Sequence, residues 1–241
     1  MLVLNSGDSF PAPMLDVFAS KTVLITGASS GLGKAIAEHL MGSRAVLLLT
    51  SSAKSELESL ALTGQNSGGP ILLYPQDFSA FGAAQLLHDR ILDTGYVPDV
   101  VINHVDLNKI SLCTAEDPEL CTQIMAGLCQ NTKLITRLCL PDMLKRNQGW
   151  ILNVVTTCEA ASERWPTCMM ELTRDLQVDL EGTNIHLSAL FPSDLPFTPA
   201  TAHQISLQLF DVTEPAHVVA SMGLQSFMQT KRRRKRKTAA V

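Results

Sequence analysis

Apolar positions follow two rhythms along this chain. Short unbroken runs of aliphatic and β-branched residues alternate with longer stretches in which apolar residues return every three or four positions. The first kind suits strands of a parallel sheet buried on both faces, and the second suits amphipathic helices. This pattern predicts strands at about 22–26, 45–50, 71–74, 100–102, 150–155 and 185–190. It predicts helices at about 31–42, 54–62, 81–94, 119–146 (despite Pro141), 169–181 and 215–228. Residues 1–20 read as a lead-in with at most a helical turn at 14–18, and 63–69 as a polar loop with three glycines. Strands alternating with helices at this spacing imply an α/β fold, a doubly wound parallel sheet. No internal repeat is visible.

One stretch carries more than a fold signal. Residues 22–42 read T-V-L-I-T-G-A-S-S-G-L-G-K-A-I-A-E-H-L-M-G, a strand that turns through Gly27, Gly31 and Gly33 into a helix. Leu32, Ala35, Ile36 and Leu40 form that helix's apolar stripe. Such a turn aims backbone N–H groups and the positive end of a helix dipole at one point, which suits a phosphate. Glycine permits the tight turn and the close backbone approach.

Composition narrows the class. The 241 residues suffice for one α/β domain with a full core. No apolar run reaches the roughly 18–20 residues of a membrane span. The opening Met1-Leu-Val-Leu is too short for a signal sequence, so the reading is an intracellular, cytoplasmic protein. Cys113, Cys121, Cys129, Cys139, Cys158 and Cys168 include no C-x-x-C pair and read as reduced thiols, not zinc ligands; no metal site is expected. Residues 231–237, Lys-Arg-Arg-Arg-Lys-Arg-Lys, hold seven of the 19 basic residues, so the rest of the chain carries −11. An acidic body with a basic tail argues against sequence-specific nucleic-acid binding. Residues 229–241 read as a disordered tail, and Lys231–Lys237 offers a contact for an anionic membrane surface or a nuclear import receptor. That contact would place the protein in the nucleus or at the cytosolic face of a membrane. A solvated tail is the plain alternative.

The T-G-x-x-x-G-x-G spacing at 26–33 differs from the common G-x-G-x-x-G fingerprint and resembles the cofactor loop of the short-chain dehydrogenase/reductase family. The likeness spans about 21–228. Asp77 resembles the family's acid beside the adenine. Asn103-His104-Val105-Asp106 falls where the family has Asn-Asn-Ala-Gly. The run from Leu140 to Gly149, the helix from Leu172 to Leu180, and Pro192 also match. The run from Pro192 to Pro199 weakly resembles the membrane-associated reductases that include 3-ketosphinganine reductase. The resemblance implies a single Rossmann domain at 21–228, with the seventh strand short or missing. It also implies a nicotinamide cofactor held by Thr26, Gly27, Ser29, Ser30, Gly31, Leu32, Gly33, Ser51, Ser52, Asp77 and Asn103. No acid closes the second strand. Ser51, Ser52 and Lys54 instead suit a 2′-phosphate, so NADP(H) is slightly preferred over NAD(H). An ordinary polar loop is equally consistent with those residues. In the family, the long helix and the helix after the active site commonly build a homodimer, and Leu134, Ile135 and Leu138 in 119–146 permit this.

The resemblance also implies a catalytic set, and here the chain departs from it. The family donates a proton from the Tyr of Y-x-x-x-K, with the Lys holding the ribose, a Ser after the fifth strand and an Asn in the long helix. The Ser position falls on Thr156. The Asn position falls on Leu128, and Asn131 lies about 300° round the helix from it. Residues 157–174 contain neither Tyr nor Lys, and the only tyrosines are Tyr74 and Tyr96. Counting back from a helix near Met169, the segment reads as shortened. Cys158, Cys168, Arg164 and His104 are the substitutes on offer. Against that, the cysteines read as packing residues, Arg164 as a solvated loop charge and His104 as hydrogen-bonded. The favoured expectation is a pseudoenzyme that binds nucleotide or a partner without catalysis. The alternative is an NADP(H)-dependent oxidoreductase reducing a carbonyl with an atypical proton donor.

Overall fold

The computed structural model describes residues 17–64, 68–105, 117–154, 164–190 and 217–218. Seven strands form one parallel sheet in the order β3-β2-β1-β4-β5-β6-β7. They are β1 Thr22–Thr26, β2 Val46–Ser51, β3 Ile71–Pro75, β4 Val100–Asn103, β5 Gly149–Val154, β6 Ile185–Leu190 and β7 His217–Val218. Successive side chains of a strand face opposite sides of the sheet. Here both sides are covered: Leu24, Leu48 and Val101 enter one core layer, while Val23, Ile25, Leu47, Leu49, Val100 and Ile102 enter the other. That is why the strands read as unbroken apolar runs.

Helices α1 Gly31–Leu40 and α2 Lys54–Thr63 cover one face. Helices α3 Ala83–Asp93, α4 Pro118–Arg146 and α5 Arg164–Asp179 cover the other. Asp117 caps α4, its Oδ1 accepting from the N–H groups of Glu119 and Leu120, with Pro118 at the first helical position. The helix runs through Pro141 and ends at Asn147, whose positive φ of 48° closes it.

Two predicted boundaries are corrected. The helix expected from Met169 begins at Arg164. Pro166 sits in its first turn, where a backbone N–H has no helical partner to lose. Arg164 and Cys168 are therefore helical, not parts of a loop. The helix expected at 215–228 is instead, at His217–Val218, a strand that pairs with Leu187 and Ser188 of β6. A seventh strand exists, and it is short. The remainder of 215–228 lies outside the described residues, as do the run 192–199 and the basic stretch 231–237. Among the described residues, no helix is long and apolar enough to cross a membrane.

Candidate functional site: the cleft at the β1–β4 switch point

Strand order reverses between β1 and β4, and in an open parallel sheet ligands bind beyond the carboxyl ends of strands at such a point. The two ends are tied directly. Thr26 Oγ1 donates to the His104 carbonyl at 3.0 Å and accepts from the His104 N–H at 2.9 Å. Above them the chain turns through Gly27 (φ 60°) and Gly31 (φ 53°), conformations that disfavour a side chain. A Cβ on Gly27 would stand 2.5 Å from the His104 carbonyl oxygen. One on Gly33 would stand 2.7 Å from His104 Nδ1 and collide with the Gly27 carbonyl. These two glycines let the start of α1, the turn and the β4 loop lie in contact. Ser30 enters α1 extended and makes no side-chain hydrogen bond to its first turn.

A cavity of about 390 Å³ opens beside this turn. The ends of β1 and β2 supply Thr26, Gly27, Ser29, Ser30, Thr50, Ser51 and Ser52. The segment after β3 supplies Gln76, Asp77, Phe78 and Ser79. His104 and Val105 close another side, and Ile124 and Leu128 of α4 form an apolar wall. Ser29 and Ser51 share a hydrogen bond of 2.7 Å across the turn. Asp77 Oδ1 accepts from the Ser79 N–H at 2.8 Å and the Ser79 hydroxyl at 2.7 Å, which folds 77–79 into a tight turn.

Six of the sequence-nominated cofactor residues, Thr26, Gly27, Ser29, Ser30, Ser51 and Ser52, line the cleft, and Asp77 joins them. Gly31 and Gly33 shape it from behind. Leu32 is fully buried in the core and anchors α1. Asn103 is also fully buried and spans the sheet: its Nδ2 donates to Thr136 Oγ1 and Asn153 Oδ1, both at 2.8 Å. Asn153 in turn donates to Thr173 Oγ1 at 2.9 Å. This chain of amides and hydroxyls joins β4, β5, α4 and α5; Asn103 is not among the residues lining the cleft, and its buried Oδ1 has no hydrogen-bond partner among the described residues. The exposed Lys54 lies outside the cleft, 3.7 Å from Glu58.

The two long-helix positions separate as their angles require. Leu128 faces the cleft. Asn131 turns to α3, where its Oδ1 accepts from the Ala84 N–H at 3.0 Å. Its Nδ2 donates to the carbonyls of Phe78 and Ala80 at 2.9 Å and of Gly127 at 3.1 Å. Asn131 therefore holds the 77–80 turn and the start of α3, and no proton path to the cleft runs through it. Tyr74 pairs its hydroxyl with Thr94 at 3.1 Å under the Arg90 guanidinium. Among the described residues that line the cleft there is no Tyr and no Lys. Thr156 and Cys158 lie outside the described residues. Gln76, Ser79 and Ile124 are cleft residues without a sequence signal, since each is placed only by the packing of distant segments.

The family profile for short chain dehydrogenases matches residues 21–206. The chain belongs to the short-chain dehydrogenase family. A very-long-chain 3-oxoacyl-CoA reductase of Phaeosphaeria nodorum is 33% identical over 202 residues, which is 81% of this chain and 58% of the relative. A dehydrogenase/reductase SDR family protein 7-like from Anopheles gambiae is 30% identical over 141 residues, 56% of this chain and 44% of the relative. The chain thus spans only about half the length of these two curated relatives. Among solved structures, a metagenomic short-chain oxidoreductase in complex with NADP superposes with a TM-score of 0.68 at 18% identity, covering 84% of this chain and 97% of that one. L-sorbose reductase from Gluconobacter frateurii, complexed with NADPH and L-sorbose, gives 0.60 at 18% identity over 72% and 69%. At that identity the likeness is one of fold.

Proposed function

We propose that this short-chain dehydrogenase family member binds NADP(H) in the β1–β4 cleft and does not carry out the family's carbonyl reduction at an enzymatic rate. The observation that carries the binding half is the glycine cradle. Gly27 and Gly33 let the turn pack directly against His104, where any Cβ would collide, and so bring the backbone to the cleft at the start of a helix whose first turn has no side-chain cap. That is a site for a pyrophosphate. Ser29, Ser30, Ser51 and Ser52 offer hydroxyls along the same wall, and Asp77, also in the lining, is the residue we assign to the adenine. Lys54 is held only by an exposed ion pair with Glu58, a weak interaction, so turning toward a 2′-phosphate costs little.

A bound nicotinamide would supply or accept a hydride; the protein must then provide the proton. Residues 157–174 contain neither Tyr nor Lys, and neither is among the described cleft residues. A positioned general acid contributes about 10²–10⁴-fold. Thr156 offers a hydroxyl that hydrogen-bonds but is far too weak an acid to stand in. Ile124 and Leu128 make the inner wall apolar, which excludes water without supplying a proton.

A self-association through α4 and α5 fits this reading only in part. Leu134 and Leu138 are half-buried, but Ile135 is fully buried in the protomer's own core and is not available to a partner. The basic stretch 231–237 remains a proposed contact for an anionic surface. Titration of NADPH fluorescence against the full chain tests the binding half. Saturable enhancement is expected, and no signal up to millimolar cofactor would overturn it.

A further inference from the structure

Helices α4 and α5 lie side by side and parallel, with facing residues that form a ladder one turn apart. Lys133 Nζ meets Glu171 Oε2 at 3.1 Å, and Arg137 meets Asp175 at 3.7 Å. One turn earlier on each helix the facing residues are Cys129 and Cys168. Both line a cavity of about 410 Å³ together with Met125, Ala126, Lys133, Thr167 and Glu171. It shares no lining residue with the cofactor cleft, because Ile124 and Leu128 face one side of α4 and Met125 and Cys129 the other.

The two cysteines differ in ways that suit a division of labour. Cys129 is half-buried, while Cys168 is only 6% exposed. Their thiols are hydrogen-bonded, and that bond together with burial pushes the Cys168 thiol up, so Cys168 keeps its proton. Burial opposes the Lys133 charge, but the Glu171 carboxylate outweighs it, and the ammonium is held charged beside the pair. Cys129, the more accessible of the pair, thus shares a cavity with a thiol and a lysine ammonium, the surroundings in which a cysteine is nucleophilic once it ionises. Cys139, by contrast, is 1% exposed and pushed up to about 12 by burial and Asp142, so it stays inert.

We propose that Cys129 and Cys168 form a reversible dithiol–disulfide site whose oxidant is a small peroxide, joining α4 to α5. The Cys129 thiolate attacks one peroxide oxygen, the O–O bond breaks, and the departing hydroxide takes a proton to leave as water. Cys129 is then a sulfenic acid. The Cys168 sulfur attacks Cys129 Sγ, the S–O bond breaks, and the released oxygen leaves as a second water carrying the Cys168 proton. The sulfurs lose two electrons and the peroxide gains them. The bond draws the sulfurs to about 2.05 Å. Two thiol equivalents reverse it by exchange.

The test treats the full chain in its native state with hydrogen peroxide, alkylates the remaining thiols, digests without reduction and maps the peptides. The expected result is a Cys129–Cys168 linked pair as the dominant cross-link, lost after dithiothreitol. In Cys168→Ser, a dimedone-type reagent should label Cys129; in Cys129→Ser, Cys168 should stay unlabelled. Should either variant fail to fold, the wild-type map alone decides. Recovery of both cysteines as alkylated thiols after oxidation, or of Cys129 joined to Cys113, Cys121 or Cys158, would overturn the proposal. NADPH titration of the same sample is unaffected by either outcome, so this site and the nucleotide reading fail separately.

Discussion

Replacing Asn131 with Ala should cost about 3–5 kcal/mol of stability. The side chain is 3% exposed and serves four backbone groups from three segments. The Gly127 carbonyl keeps its helical partner when the amide is gone. The Ala84 N–H and the Phe78 carbonyl lose the partner the amide gave them, whereas the carbonyl of the exposed Ala80 keeps the Ala83 N–H at 3.4 Å. Each orphaned buried group costs about 1–3 kcal/mol, and the void left behind adds to the total. Against a total stability of about 5–15 kcal/mol this is a large fraction. With a slope near 2–3 kcal/mol/M, urea unfolding should shift its midpoint down by about 1–2 M. Asn131→Asp keeps the acceptor for Ala84 but loses the donors and buries a charge, so it should be no better than Ala. Asn131→Ala should also weaken NADPH binding, because the 77–80 turn forms one wall of the cleft. A loss below about 1 kcal/mol with unchanged binding would refute the assignment of Asn131 as the clamp between α4 and the turn.

Three further outcomes follow from the same geometry. Gly33→Ala places a methyl carbon 2.7 Å from His104 Nδ1; about 1–3 kcal/mol of overpacking and loss of NADPH fluorescence enhancement are expected. Lys54→Glu should weaken NADPH about tenfold, the scale of one charge-assisted hydrogen bond, and leave NADH nearly unchanged; equal losses for both would remove Lys54 from the phosphate site. His186 stacks on Trp150 at 5.9 Å, and burial lowers its pKa below the usual 6.5. The folded state therefore binds fewer protons there than the unfolded chain. Its contribution is full above about pH 6.5 and declines as pH falls through that range. Thermal melts of the wild type and His186→Gln should diverge in that direction, and parallel pH curves would contradict it.

Much of this fold was legible because each strand is buried on both faces, which leaves apolar runs such as Leu47-Leu48-Leu49 that need no partner to be recognised. The glycine turn was equally legible, since the backbone conformations it needs are available to few other residues. The misses share a cause, namely dependence on distant groups. Asn103 reads like a cofactor residue, and nothing local shows that its Nδ2 is committed to Thr136 and Asn153, 33 and 50 positions away. Asn131 reads only as turned about 300° away from the catalytic position, and its role as a clamp emerges once the loop 51 and 53 positions earlier closes on it. The early start of α5 was hidden by Pro166, which marks a break in a sequence yet fits a first turn. His217 and Val218 pair with β6 by backbone position, and an apolar helical pattern carries no sign of that.

The central claim is that nucleotide binding has survived where proton donation has not. The direct test is NADPH oxidation by the purified full chain, at cofactor concentrations shown to saturate the cleft, over ketones and aldehydes that include 3-oxoacyl thioesters and 3-ketosphinganine. The account predicts saturable NADPH binding with turnover indistinguishable from a protein-free blank. Robust turnover that saturates with substrate, survives Thr156→Ala, and disappears on replacing His104, Cys158, Arg164 or Cys168 would contradict it and name the donor.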